Sequence, residues 1–236
     1  MKILILTCCD GNWRKNSLSR INETKKKLAD RFDGIDYKFE LRRTDKSTEP
    51  QWEKLKMCLD HLDDGYDFLM WMDDDAGFIK FDDFRPLLEN LDKDKYAFFT
   101  IERTDDAGRE FGYLNSGVFF VRPCEESKKM LEWAWEQRKL PKKFTLCDQP
   151  VLIKWFFSHK DGCGVVDGKV FNSFPDCFCP RQYYANPVME NTIVVHLASR
   201  YMRNPEYLSK WFPVKEEKKP TEQKRTTGYE GMDDDD

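Results

Sequence analysis

The chain has 236 residues, enough for one substantial α/β domain and too few for two full ones. Its 39 basic and 43 acidic residues are interspersed and leave a net charge of −4, which argues against a nucleic-acid partner. No stretch approaches the ~20 apolar residues needed to span a bilayer, and the first apolar run, Ile3 to Leu6, is too short for a secretory leader, so a cytoplasmic protein without a membrane span is expected.

In chain order, residues 2–8 read as a central strand. Residues 17–31 read as a helix capped by Ser17, with Leu18, Ile21 and Leu28 on one stripe. A strand over 35–41 and a helix over 51–62 follow, the latter turning Trp52, Leu55, Cys58, Leu59 and Leu62 inward. Residues 66–72 form an apolar strand that ends in three adjacent carboxylates, Asp73, Asp74 and Asp75. Like charges massed there need an offset, and a divalent cation is the usual one. If the segment stays extended, alternation turns Asp73 and Asp75 together and Asp74 away. That makes an Asp-x-Asp clamp at the carboxyl end of a strand, where open α/β sheets bind ligands.

A short helix near 83–91 and a strand at 96–101 come next. Leu114 to Pro123 is a strand entered through a tight polar turn at Asn115-Ser116-Gly117. Helices are expected at 125–138 and 148–158, and strands at 164–171 and 192–196. The Pro-, Cys-, Tyr- and Asn-rich stretch 172–190 suits pocket-shaping loops. From Val214 the chain is almost without apolar residues and ends in Asp233 to Asp236, so residues 1–213 form the domain and 214–236 a charged, disordered tail or linker. The alternation of strands and helices implies a mostly parallel, Rossmann-like sheet with helices on both faces. The eight cysteines show no Cys-x-x-Cys pairing and read as reduced thiols, with Cys163, Cys177 and Cys179 the nearest approach to a cluster.

Four segments in order carry a family resemblance. They are Trp52-Glu53-Lys54 leading into Trp71-Met72-Asp73-Asp74-Asp75-Ala76, then Leu114-Asn115-Ser116-Gly117-Val118-Phe119, Cys147-Asp148-Gln149-Pro150 and Val195-His196-Leu197-Ala198. Together they resemble nucleotide-sugar-dependent glycosyltransferases of the GT-A type. Within that type they are similar to the galactosyl- and xylosyltransferases of yeast mannan and plant xyloglucan synthesis and to the soluble enzymes encoded by large algal viruses. The membrane anchor of the Golgi enzymes has no counterpart here, and Leu197 to Arg200 departs from their Gly-Cys pattern.

The resemblance implies a single GT-A-like domain that moves a sugar from a donor, UDP-linked, to a glycan acceptor hydroxyl. It implies Mn²⁺ (or Mg²⁺) held by Asp73, Asp75 and His196; an imidazole ligand favours Mn²⁺, because Mg²⁺ prefers oxygen. Thr7, Cys8, Lys54, Asp73, Asp74, Asn115, Ser116, Gly117 and Gln149 would contact the donor, with Lys54 or a basic residue in 200–203 balancing the diphosphate. Asp148 would be catalytic, as general base or as a charge facing an oxocarbenium-like transition state. Read from the residues alone, Asp148 is equally a helix N-cap, His196 a surface or core histidine, and Asn115 to Gly117 a turn. A sugar-phosphate nucleotidyltransferase would want a Gly-rich basic loop after the first strand, where Cys8-Cys9-Asp10-Gly11 has one glycine. A phosphatase with an Asp nucleophile would want its motif on the first strand. A non-catalytic carbohydrate-binding module would not need Asp73, Asp75, Asp148 and His196 together.

Overall fold

The structure, a computed structural model, describes residues 1–10, 15–102, 113–140, 147–175, 188–197 and 205–213. Its strands in chain order are β1 (Ile3–Cys9), β2 (Ile35–Leu41), β3 (Phe68–Met72), β4 (Ala76–Phe78), β5 (Ala97–Glu102), β6 (Tyr113–Val121), β7 (Cys163–Val166) and β8 (Val194–His196). The helices are α1 (Lys15–Ala29), α2 (Glu53–Asp60), α3 (Arg85–Glu89), α4 (Glu125–Gln137), α5 (Asp148–Ser158), α6 (Gly168–Phe171) and α7 (Pro205–Trp211).

Six strands form one sheet in the order β2-β1-β3-β6-β5-β7, in which only β6 runs against the others. Both faces are buried, and the period-two alternation sorts each strand's side chains between them. Leu4, Leu6, Leu69, Trp71, Phe99 and Phe119 pack under α2, α4 and α5. Ile3, Ile5, Phe68, Met70, Met72 and Phe120 face the opposite layer, which includes Leu28 of α1, Leu88 of α3 and Phe171 of α6. This is the expected α/β architecture. Among the described residues no helix is long and apolar enough to cross a membrane.

β4 and β8 form a second, two-stranded antiparallel sheet that the sequence reading did not separate out. Each is three residues long, too short to show a period. Ile21 of α1, Leu208 of α7 and Phe212 just beyond it bury Val195 of β8 and the following Leu197. The approach is close enough that a Cβ on Gly77 would stand 2.7 Å from the Phe212 ring.

Several expectations need correction. Helix α1 starts at Lys15 in the described backbone, so Ser17 lies in its first turn and is not its cap. The expected helix over 51–62 is a 3₁₀ turn at Pro50–Trp52 running into α2. The strand expected over 164–171 stops at Val166, where Asp167 caps α6 by accepting from the Lys169 amide at 2.8 Å. Asn115-Ser116-Gly117 is not a turn but lies inside β6, at a register break where Phe99 pairs with Phe119 and Thr100 with Asn115. The tail 214–236, Cys177, Cys179 and residues 200–203 lie outside the described residues.

Candidate active site

The site lies where β1 and β3 end and the reversed strand β6 begins. Strand β3 delivers Asp73 at its carboxyl end, but the chain does not stay extended. The Ala76 amide donates back to the Asp73 carbonyl at 3.1 Å, so Asp73 to Ala76 is a turn leading into β4. Asp73 and Asp75 therefore converge through a turn and not through strand alternation. Pairing of Ala76 with His196 in the small sheet, with the Leu197 amide donating to the Asp75 carbonyl at 2.8 Å, brings in the third group. One ligand atom each from Asp73, Asp75 and His196 lies within 4.8 Å of the others. His196 Nε2 is 2.9 Å from Asp75 Oδ1. Two carboxylates and an imidazole at this spacing suit a divalent ion of intermediate softness.

Gly117 makes room for that imidazole. A Cβ there would sit 2.4 Å from His196 Cε1, so a side chain would displace the ring. The same residue's carbonyl accepts from the Asp73 amide at 2.7 Å, and its own amide donates to Asn115 Oδ1 at 2.7 Å.

Asp73 is held from its other side. The Trp71 indole donates to its Oδ1 at 2.8 Å, and the Lys54 ammonium lies 3.0 Å from the same oxygen. Lys54 is 4% exposed and also reaches Asp148 Oδ2 at 3.1 Å and the Ser116 carbonyl at 3.0 Å. Burial opposes its charge, yet Asp148 and then Asp73 outweigh that and hold the ammonium firmly protonated. Lys54 was expected at the diphosphate; the structure places it inside, on two carboxylates. Asp148 is 2% exposed, and burial raises its pKa while Lys54 pulls the other way. It is not an N-cap: Cys147 holds that position and Asp148 is the first residue of α5. Next to it, Gln149 Oε1 accepts from the Ser116 amide at 3.2 Å.

The expected nucleotide contacts on β1 divide. Cys8 is half-buried, and burial, then Glu53 and Asp73, keep its thiol protonated. Thr7 is wholly buried; its hydroxyl donates to the Met72 carbonyl at 2.8 Å and accepts from the Lys25 ammonium at 2.9 Å. Lys25 is a site residue that sequence reasoning missed. It is completely buried under the carboxylate turn and also donates to the Asp73 carbonyl at 2.9 Å. Burial pushes its pKa down to about 8 against the pull of Asp74, Asp75 and Asp73. A signal existed: Lys25 falls on the stripe Leu18, Ile21, Leu28 of an amphipathic helix, where a solvated lysine does not belong. Asp74 is half-buried and, of the three carboxylates, acts most strongly on Lys25.

A hollow of about 530 Å³ lined by Lys95, Tyr96, Arg122 and Gly162 opens at the opposite end of the sheet. Its Lys95 ammonium donates to the Lys160 and Cys163 carbonyls.

The acidic cluster and its histidine stand at the carboxyl ends of the parallel strands, where open α/β sheets bind ligands. The profile of the nucleotide-diphospho-sugar transferase family matches residues 5–204, and the chain belongs to that family. It is a glycosyltransferase with a GT-A-type fold. Its fold is similar to that of a glycosyltransferase involved in glycosylation of the major capsid of PBCV-1. That match has a TM-score of 0.66 and 13% identity, and covers 89% of this chain and 99% of that one. The galactosyltransferase LgtC, solved in complex with donor and acceptor sugar analogues, matches with a TM-score of 0.51 and 14% identity, over 91% of this chain and 98% of that one. No curated protein matches the sequence.

Proposed function

We propose that the enzyme moves a sugar from a UDP-linked donor to a glycan hydroxyl, with Mn²⁺ (or Mg²⁺) held by Asp73, Asp75 and His196. The observation that carries this reading is the convergence of those three ligand atoms within 4.8 Å at the carboxyl end of β3. Bound there, the cation would neutralise the charge that grows on the nucleoside diphosphate as the sugar–phosphate bond breaks, worth several kcal/mol. The remaining work falls to the chain. Asn115, Ser116 and Gly117, fixed by the β6 register break, offer amide, hydroxyl and close backbone approach to sugar hydroxyls. Cys8, at the exit of β1, flanks the nucleotide side with a neutral thiol. Asp148, held by Lys54 through Oδ2 at 3.1 Å, serves as a fixed charge beneath an oxocarbenium-like centre or as the base that takes the acceptor proton on its other oxygen.

The experiment is a panel of nucleotide sugars assayed for nucleoside diphosphate release with Mn²⁺ and with EDTA, beside calorimetric titration of UDP under both conditions. Metal-dependent release from a UDP-sugar and UDP binding that EDTA abolishes are expected. Equal UDP affinity with and without metal overturns the clamp, and release only from another nucleotide's sugar overturns the UDP assignment.

A further inference from the structure

The geometry points to Asn172 and Thr100 as positioning residues that decide which nitrogen of His196 meets the cation, an inference that rests on the metal clamp proposed above. The three residues form a buried chain: Thr100 and Asn172 are fully buried and His196 is 5% exposed. Thr100 Oγ1 lies 3.2 Å from the Val118 carbonyl and 3.4 Å from that of Asn115, Asn172 Nδ2 lies 2.9 Å from Thr100 Oγ1, and Asn172 Oδ1 lies 2.9 Å from His196 Nδ1.

An amide's oxygen and nitrogen cannot be told apart by shape, so the direction of this chain must come from its chemistry. A hydroxyl has one proton to give. Main-chain carbonyls only accept, so Thr100 spends its proton on one of them and can only accept from Asn172. Asn172 therefore turns its NH₂ to Thr100 and its carbonyl oxygen to the histidine. That oxygen requires a proton on Nδ1, so a cation arriving between Nε2 and Asp75 Oδ1, 2.9 Å apart, would take the place of the proton shared there and meet the Nε2 lone pair. The backbone of β6 thus fixes the ligand nitrogen through two side chains. Turning the ring over would set Cδ2 against Asn172 Oδ1 and Cε1 against Asp75 Oδ1, losing both polar contacts.

Asn172 sits at the C-cap of α6, in the segment the sequence reading gave to a strand and loop, and pairs with Thr100 across 72 positions of chain. A merely structural account would have the amide satisfy two buried polar neighbours and nothing more. The accounts separate on metal affinity. Mn²⁺ binding in the presence of UDP, read from the electron paramagnetic resonance of free Mn²⁺, is measured for the parent chain, Asn172→Leu, Asn172→Asp and Thr100→Val, with thermal melts beside it.

Leucine keeps the volume and loses the acceptor, and its affinity should fall roughly 10- to 100-fold, the usual cost of losing such a partner. Aspartate still accepts from Nδ1–H and should restore binding to within a few-fold of the parent. Thr100→Val frees the amide to turn over and should give a smaller loss than leucine. A folded leucine variant that binds like the parent overturns the proposal, as does aspartate losing as much as leucine. If the leucine variant does not fold, unchanged affinity in Thr100→Val overturns it. A parent chain that does not bind Mn²⁺ even with UDP overturns the clamp itself and the positioning role with it, a result distinct from failure in the variants alone.

Discussion

Asp73 divides the site into two flanks that handle negative charge differently. On one flank Lys54 lies between Asp73 and Asp148 at 3.0 and 3.1 Å, almost wholly excluded from solvent. On the other, Asp75 meets His196, and the fully buried cation below, Lys25, bonds the Asp73 carbonyl and the Thr7 hydroxyl. The first flank carries its countercharge in the sequence and is closed by it. The second gathers two carboxylates and an imidazole with ligand atoms within 4.8 Å of one another, the cluster on which the proposed cation rests. A fixed lysine suits a charge that must stay the same through the reaction; an exchangeable ion suits one that must accompany a departing diphosphate.

The comparison breaks most sharply at Lys54. Lys54→Met leaves Asp73 and Asp148 facing each other with no cation between them, and removing one partner of a buried ion pair typically costs about 3–5 kcal/mol. Chemical denaturation should show a loss of that size, only partly recovered by Mn²⁺, which would act at the other flank. A variant as stable as the parent would mean that Lys54 is not the built-in countercharge.

Asp75→Asn tests the second flank. The amide still offers an oxygen toward His196, so stability should hold to within about 1 kcal/mol. Transfer should fall by on the order of 10²–10³, equivalent to about 2.7–4 kcal/mol for a lost preorganised charge. Should the melting temperature collapse together with turnover, Asp75 belongs with Lys54 among the groups that hold the fold.

The two flanks were not equally legible in the sequence. Asp73 and Asp75 stand at the end of a recognisable apolar run, so their type and position suggested chemistry before any contact was known, whereas Asp148 and His196 drew their roles from the family resemblance. The reason offered for Asp73 and Asp75 was nonetheless wrong, since a turn and not strand alternation brings them together. Lys25 was hidden in Lys25-Lys26-Lys27, a run that reads as solvated unless the helical stripe is followed through it. The lysine–carboxylate triad and the Thr100–Asn172–His196 chain were out of reach, because each joins residues 19 or more positions apart through a sheet order that no local pattern states. β8 falls inside the strand expected over 192–196, whereas β4 was lost to its length, and α6 to a β-branched run that outweighed the capping signal of Asp167.

The smallest expected effect sharpens the floor that both flanks share. Thr7 was expected at the nucleotide, yet its hydroxyl ties the end of β3 to Lys25 from a fully buried position. Thr7→Val keeps the shape, deprives the Met72 carbonyl of its side-chain donor, and leaves Lys25 one acceptor short. A net hydrogen bond is worth about 1 kcal/mol, and a stability loss near that value is expected. If Thr7 is a strut, UDP affinity in the presence of Mn²⁺ should barely move, because the clamp's ligands remain anchored by Trp71, Gly117 and the β4–β8 pairing. If its hydroxyl turns outward to the donor, the pattern reverses: stability is kept and UDP affinity falls. Denaturation and UDP titration on this one variant separate the two, and unchanged stability with weakened UDP binding would return Thr7 to the nucleotide.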